Sequence, residues 1–293
     1  MTLEQLRIFV AVAERQHVTQ AARMLNLTQS AVSGAVAALE TRHGVHLFDR
    51  VGRGVVLNET GRAFLAEARA VLARAAAAEA ALEDMAALRR GRLAIHASQT
   101  IASYWLPARL VAFHAAHPAV DLDVAVGNTR EVADAVLNGA AELGFVEGLL
   151  DEPALSRQVV GEDELAVLVA PGHPWTSRKA LKVADLAGSP WVLRETGSGT
   201  RSTLEALLTT NGIDLAALDV TMSLPSNEAV LAAAQAGAGA AALSRNVAEA
   251  AIAAGRLVEA PIRLPARTFH LLRHKERYRS RAGDAFVAVA REP

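Results

Sequence analysis

Residues 25–61 read LNLTQSAVSGAVAALETRHGVHLFDRVGRGVVLNETG, and this stretch decides the architecture of the amino-terminal part of the chain. Asn26-Leu27 supplies a turn, and the Thr28 hydroxyl can accept from the first free N–H groups of a following helix. In that helix Ala31, Val32, Ala35 and Leu39 are expected to face inward, which leaves Gln29, Ser30 and Ser33 on the opposite side. Leu47-Phe48, Gly52-Arg53-Gly54 and Val55-Val56-Leu57 predict strand, tight turn and strand, a small wing. Upstream, Leu3, Leu6, Val10 and Ala13 recur at helical spacing and stop before polar Gln16-His17. Thr19 is placed to cap a short second helix with Ala22 and Leu25 inward. Residues 1–58 therefore predict a winged helix-turn-helix.

Downstream, residues 60–88 predict one long helix opened by Thr60, without proline and without glycine after Gly61. Phe64, Ala68, Val71, Ala75, Ala78, Leu82 and Met85 alternate steps of four and three, the seam of a coiled coil. Residues 59–89 are thus expected to be a dimerising linker, packing on the same domain being the plainer alternative. A seam this rich in alanine implies close helix approach and a weaker grip than leucine or isoleucine would give.

From Gly91 the pattern changes to strands alternating with helices, the strand candidates being 93–97, 122–126, 143–146, 165–169, 191–193, 240–243 and 269–273. That alternation predicts parallel sheets. The whole is expected to be a winged helix-turn-helix, mostly α with a small β wing, then a long helical linker, then two Rossmann-like α/β lobes. The first lobe is expected over 90–163 and 266–293 and the second over 164–265, with crossovers near 161–164 and 265–268 forming a hinge.

A chain of 293 residues with 52% hydrophobic side chains can fill several cores. The formal net charge of −1 means that any nucleic-acid contact must rest on a local patch. Residues 1–58 hold six arginines against four acids, only a mild excess. With no cysteine there is neither disulfide nor thiolate chemistry. The first residues carry Glu4 and Arg7 within an amphipathic pattern and do not read as a signal peptide, and no long uncharged apolar run follows, so a cytoplasmic protein without membrane attachment is expected.

Two cofactor-like motifs carry little. Gly237-Ala-Gly239 lies between a helix (227–235) and a strand, the reverse of the dinucleotide fingerprint, and Gly237 reads better as a helix stop. Gly197-Ser-Gly199-Thr-Arg201 lacks the phosphate-loop lysine. No GxSxG, HExxH or paired carboxylate motif is present, so no catalytic residue, metal or cofactor is expected.

The run from Leu25 to Gly61, with its "LFDR" start to the wing and "NETG" start to the long helix, resembles the signature of the LysR family of transcriptional regulators, and the flanking organisation agrees over essentially the whole chain. The resemblance implies a homodimer, paired into a tetramer, on an operator with interrupted dyad symmetry, and lobes resembling periplasmic binding proteins that hold an effector between them. In a recognition helix, Gln29 can bond an adenine edge and Ser30 and Ser33 can serve either partner. Thr28, with Arg23, Arg50 and Arg53 at the rim, would meet phosphates. Where many relatives carry a basic or long polar residue after the serine, this chain has Gly34, which leaves fewer side chains to read bases and more to DNA shape.

Effector candidates lie at strand-to-helix turns, where ligands of open α/β sheets bind. These are Ser98, Gln99, Thr100, Asn128, Thr129 and Glu147 in the first lobe, and Thr196, Ser198, Thr200, Arg201 and Asn227 in the second. The same hydroxyls would also serve as plain helix caps. The stretches "RETGSGTR" and "TQSAVS" are most similar to regulators of sulfur or carbon assimilation, which implies a small oxyanion or carboxylate effector. Glu147 would repel it unless turned away or neutralised by Arg201. Two rivals stand beside this reading, a cytoplasmic two-lobed solute-binding protein and an enzyme using the cleft.

Overall fold

A computed structural model of the chain describes residues 1–51, 54–85, 91–148 and 150–291. These form two compact units, the first holding Met1–Leu88 and Leu137–Ala140 and the second Arg89–Val136 and Ala141–Pro293. Among the described residues no helix is long and apolar enough to cross a membrane.

The first unit begins with helices α1 (Leu3–Arg15), α2 (Val18–Met24) and α3 (Gln29–His43), continues through strands β1 (Phe48–Val51) and β2 (Gly54–Leu57), and ends in α4 (Glu59–Met85). Thr2 and Gln5 form a reciprocal capping box on α1, and Thr28 Oγ1 accepts from Ala31 N to cap α3 as expected. Thr19 does not cap α2. That helix starts a residue earlier, after His17, with no side-chain cap. Nor does Thr60 open α4, because Asn58 takes that place, accepting from Gly61 N (2.8 Å) and donating to His46 O (2.9 Å). Gly61 is obligatory here: a Cβ would lie 2.0 Å from the Leu47 carbonyl oxygen.

Leu6, Phe9, Ala13, Leu39 and Leu47 form one small core, and Ile8, Val12, Ala21, Ala22 and Val32 another. Of the apolar positions read at helical spacing, Leu6, Ala13, Val32 and Leu39 are buried, whereas Leu3, in the first turn of α1, and Ala31 are exposed. Phe64 and Ala68 of α4 also join the first core, with Phe64 5.0 Å from the Phe9 ring. These two seam positions are therefore spent on the chain's own domain. Val71 and Ala78 remain exposed and Ala75 half-buried, while the side chains of Leu82 and Met85 lie outside those described.

The second unit contains β3 (Gly91–Ser98), α5 (Leu106–Ala116), β4 (Val120–Gly127), α6 (Thr129–Asn138), β5 (Leu143–Val146) and β6 (Leu155–Asp163). There follow β7 (Leu165–Val169), β8 (Pro190–Arg194), α7 (Gly199–Thr210), β9 (Asp219–Leu224), α8 (Asn227–Gln235) and β10 (Ala241–Ser244). The unit closes with α9 (Arg245–Ala253), β11 (Val258–Glu259), β12 (Arg267–His274) and α10 (Arg281–Ala290). One sheet has the order β4-β3-β5-β12-β6. In the other lobe β8-β9 and β10-β7-β11 are joined through Trp191 and Ala240, which gives β9-β8-β10-β7-β11. The two lobes thus repeat one topology.

The expectation of parallel sheets holds only for β3, β4 and β5 in the first lobe and for β8, β9 and the start of β10 in the second. β12 runs antiparallel to β5 and β6, and β7 antiparallel to β10 and β11, because these strands return from the opposite lobe. Each lobe is held by its own apolar core, around Phe113, Phe145, Phe269 and Phe286 in the first. In the second, Trp175, Trp191 and Leu204 lie on one face of the sheet and Leu168, Val230 and Leu243 on the other.

Candidate functional site

The outer side of α3 presents Gln29, Ser30 and Ser33, all exposed, while Val32 and Leu39 anchor the helix beneath. Thr28 and Ser30 hydroxyls lie 3.1 Å apart, so the cap and the first exposed turn are linked. A Cβ on Gly34 would meet nothing within 4 Å, in keeping with an open surface at that turn. Arg23 and Arg50 are exposed, whereas Arg53 lies outside the described residues. Together these features leave the outer side of α3 polar and accessible.

Within the second unit the turns after β3, β4, β5 and β8, and the start of α8, converge where the two lobes meet. A π-helical turn (Ile101–Trp105) precedes α5, which helps to place Ser98, Gln99 and Thr100 against α8. Gln99 accepts from Asn227 N and donates to Glu228, both at 2.7 Å, and Thr100 Oγ1 accepts from Asn227 Nδ2 at 3.1 Å. Burial, and then the Glu228 charge, push the Tyr104 phenol above its ordinary pKa. Asn227 also accepts from Arg194 Nη1 at 2.5 Å, and Arg194 is held bidentately by Glu195 at 2.8 and 2.9 Å.

The other half of the contact centres on Glu147. This buried carboxylate accepts from Ser98 Oγ and lies 3.5 Å from Arg267 Nη1. Arg267 Nη1 also donates to Thr200 Oγ1 at 3.1 Å, linking β12 to the start of α7. The lobes touch through glycine: a Cβ on Gly199 would fall 2.4 Å from the Glu147 carbonyl oxygen, and one on Gly148 would fall 3.0 Å from Gly199 Cα. Thr129 is buried beside them, and among the described residues its hydroxyl has no hydrogen-bond partner.

The structure therefore brings Ser98, Gln99, Thr100, Thr129, Glu147, Thr200 and Asn227 together, with Ser198 buried at the start of α7. Asn128 is engaged locally in a reciprocal cap with Glu131 (2.8 and 3.0 Å), and Thr196 is exposed on its turn. Arg201 does not neutralise Glu147. As the third residue of α7 it turns outward, pairing with Glu205 at 2.7 Å and donating to the Arg194 carbonyl. Arg267 supplies the cation instead.

Residues 3–62 match the bacterial regulatory helix-turn-helix protein, lysR family, and residues 86–292 match the LysR substrate binding domain. The chain belongs to the LysR family of transcriptional regulators. This LysR-type regulator is 39% identical to the uncharacterized HTH-type transcriptional regulator YeiE of Escherichia coli K12, over 98% of this chain and 96% of YeiE. It is 34% identical to a probable RuBisCO transcriptional regulator of Trichormus variabilis, over 97% of this chain and 86% of that one. Full-length CbnR, solved in complex with its target DNA, superposes with a TM-score of 0.69 at 24% identity over 99% of both chains. The regulatory domain of Synechocystis CcmR, solved in complex with 2-PG, gives 0.63 at 23% identity over 69% of this chain and 96% of that domain. At such identities the likeness speaks for the fold. The regulator thus pairs a DNA-binding helix-turn-helix with an effector-binding domain, and the enzyme rival falls with the family.

Sequence reasoning missed Arg267, Asp163 and Arg194 of this LysR-type regulator. Asp163 and Arg267 occupy the two segments expected to form the hinge, and opposite charges at two crossovers were the available signal. Arg194 opens the "RETGSGTR" stretch but was passed over for Arg201, four residues beyond the first glycine.

Proposed function

We propose that this LysR-type regulator binds an operator as a homodimer and switches when its two lobes close on a small oxyanion or carboxylate. Thr28, Gln29, Ser30 and Ser33 make the base and backbone contacts at the head of α3, and Arg23, Arg50 and Arg53 hold phosphates. Residues 1–58 bind DNA, and 59–89 dimerise through the outer part of α4, with dimers pairing into tetramers. Residues 90–163 and 266–293 form the first effector lobe and 164–265 the second, in a cytoplasmic protein.

One observation carries the effector class. The amino-terminal ends of α6, α7 and α8 meet at the lobe contact, beside the buried hydroxyls of Ser98, Thr100, Thr129, Ser198 and Thr200 and the Arg267 guanidinium. The first N–H groups of a helix have no acceptor within it, and the helix dipole places positive potential at that end. The unpartnered Thr129 hydroxyl adds a buried polar atom still to be satisfied. Calorimetry of the full chain with sulfite, sulfate, phosphate and small carboxylates tests this reading. Saturable binding of at least one anion is expected, lost in Thr200→Val. Binding of a bulky apolar compound, unaffected by that change, would overturn it and return the hydroxyls to helix capping.

A further inference from the structure

Building on the anion reading of the lobe contact, the geometry points to an effector that carries a hydroxyl proton, a hydrogen-bearing oxyanion or a hydroxy acid, with Glu147 as the acceptor that selects it. The inventory of donors and acceptors leads there. Glu147 is 3% exposed, sits on the residue after β5, and is a carboxylate paired with Arg267, so it can only accept. Ser98 already spends its proton on one Glu147 oxygen. Two carboxylate oxygens offer about four lone-pair directions, so capacity remains beyond Ser98 and Arg267.

The neighbouring hydroxyls are poised differently. Thr100 Oγ1 accepts from Asn227, and Thr200 Oγ1 accepts from Arg267, and among the described contacts neither has an acceptor for its own proton. Thr129 Oγ1, on a residue 4% exposed, has no partner among the described residues, and lies 2.9 and 2.8 Å from where Cβ atoms of Gly148 and Gly199 would stand. Three hydroxyl protons, and the uncapped start of α7 beside them, therefore await acceptors, whereas one carboxylate has room for a further donor. A small anion with several bare oxygens and one O–H answers both demands. A fully ionised isostere would set a bare oxygen against the Glu147 carboxylate, two acceptors with no proton between them, in a site shielded from water.

Two matched pairs of probes decide the matter on the purified full chain by calorimetry at neutral pH. Phosphate and sulfate are both tetrahedral, but only phosphate keeps a P–OH there; glycolate and acetate differ by one hydroxyl. The expected result is that phosphate binds at least about tenfold tighter than sulfate, glycolate tighter than acetate, as for a site built to bond a ligand hydroxyl. In E147Q, whose amide can donate, sulfate should gain and the ratio should shrink to within about threefold. The pairs on the parent protein decide the proposal even if E147Q folds poorly, which its thermal melt would reveal. Anions that bind with no preference within either pair overturn the role of Glu147 and leave the anion reading intact. If none of the four binds, both fall.

Discussion

Arg267, the first residue of β12, donates through Nε and Nη2 to a single carboxylate oxygen of Asp163, the last residue of β6, at 2.8 and 2.6 Å. The two are cross-strand partners, and their side chains are 5% and 1% exposed. The second Asp163 oxygen accepts from Ser244 at the end of β10, in the other lobe, at 2.7 Å. One ion pair therefore closes the end of the first sheet, reaches the second, and holds the guanidinium that also faces Glu147 and Thr200.

Removing half of such a pair leaves a buried charge unmatched, which typically costs about 3–5 kcal/mol, more than the pair itself is worth against apolar substitutes. Arg267→Met should accordingly destabilise the chain by about that amount, since it strands both Asp163 and Glu147. Adding Asp163→Leu should recover part of the loss. Urea unfolding of the two variants checks this, and a single variant within about 1 kcal/mol of the parent would show that water reaches the pair.

Two glycines should respond in opposite ways to alanine. Gly199→Ala drives a Cβ to 2.4 Å from the Glu147 carbonyl oxygen and 2.8 Å from Thr129, and backbone cannot yield as a flexible side chain would. Closure of the lobes, and with it any ligand-induced thermal shift, should be lost while operator binding by gel shift persists. Gly34→Ala meets open space inside α3 and should stabilise the protein by about 0.5–1 kcal/mol through helix propensity.

On α3 the exposed polar face leads to a split outcome. Gln29→Ala and Ser33→Ala should each weaken specific operator binding by roughly 1–3 kcal/mol and leave binding to random DNA nearly unchanged. Arg50→Ala should weaken both and lower the slope of affinity against salt by about one. Footprinting and salt titration separate the two. A Gln29 variant with the parent footprint would mean that another face of the helix reads the bases.

Much of this was legible because local chemistry leaves little choice. Thr28 before a helix caps it, Gly237 with φ +84° ends α8, and the apolar runs at 143–146 and 165–169 became β5 and β7 without change. Strands β6, β9 and β11 escaped notice since they carry mixed or solvent-facing side chains, with β9 exposed along almost its whole length. The hydroxyls of the lobe contact could be placed from strand-to-helix turns alone. Its cation could not, because which arginine meets Glu147 depends on β12 returning beside β6, a pairing more than a hundred residues apart in the chain. Arg201 satisfied the local pattern and was claimed by Glu205 one turn along its own helix.

The long helix yields a last contrast between two positions of one apparent seam. Phe64 packs on Phe9 and belongs to the core of the first unit, whereas Val71, two turns further along α4, is 42% exposed. If the outer part of α4 joins two copies, Val71→Glu places like charges against each other at the junction, and desolvating them is costly enough to separate the chains. Sedimentation should then show monomers, with operator affinity reduced and the melting temperature of the first unit little changed. Phe64→Ala should do the reverse, lowering stability by about 2–4 kcal/mol, somewhat below the range for a fully buried phenylalanine, without altering assembly at temperatures where the chain remains folded. Dimers of undiminished stability in Val71→Glu would move the association surface from α4 to the effector-binding unit, and the alanine-rich half of the helix would then act as a spacer.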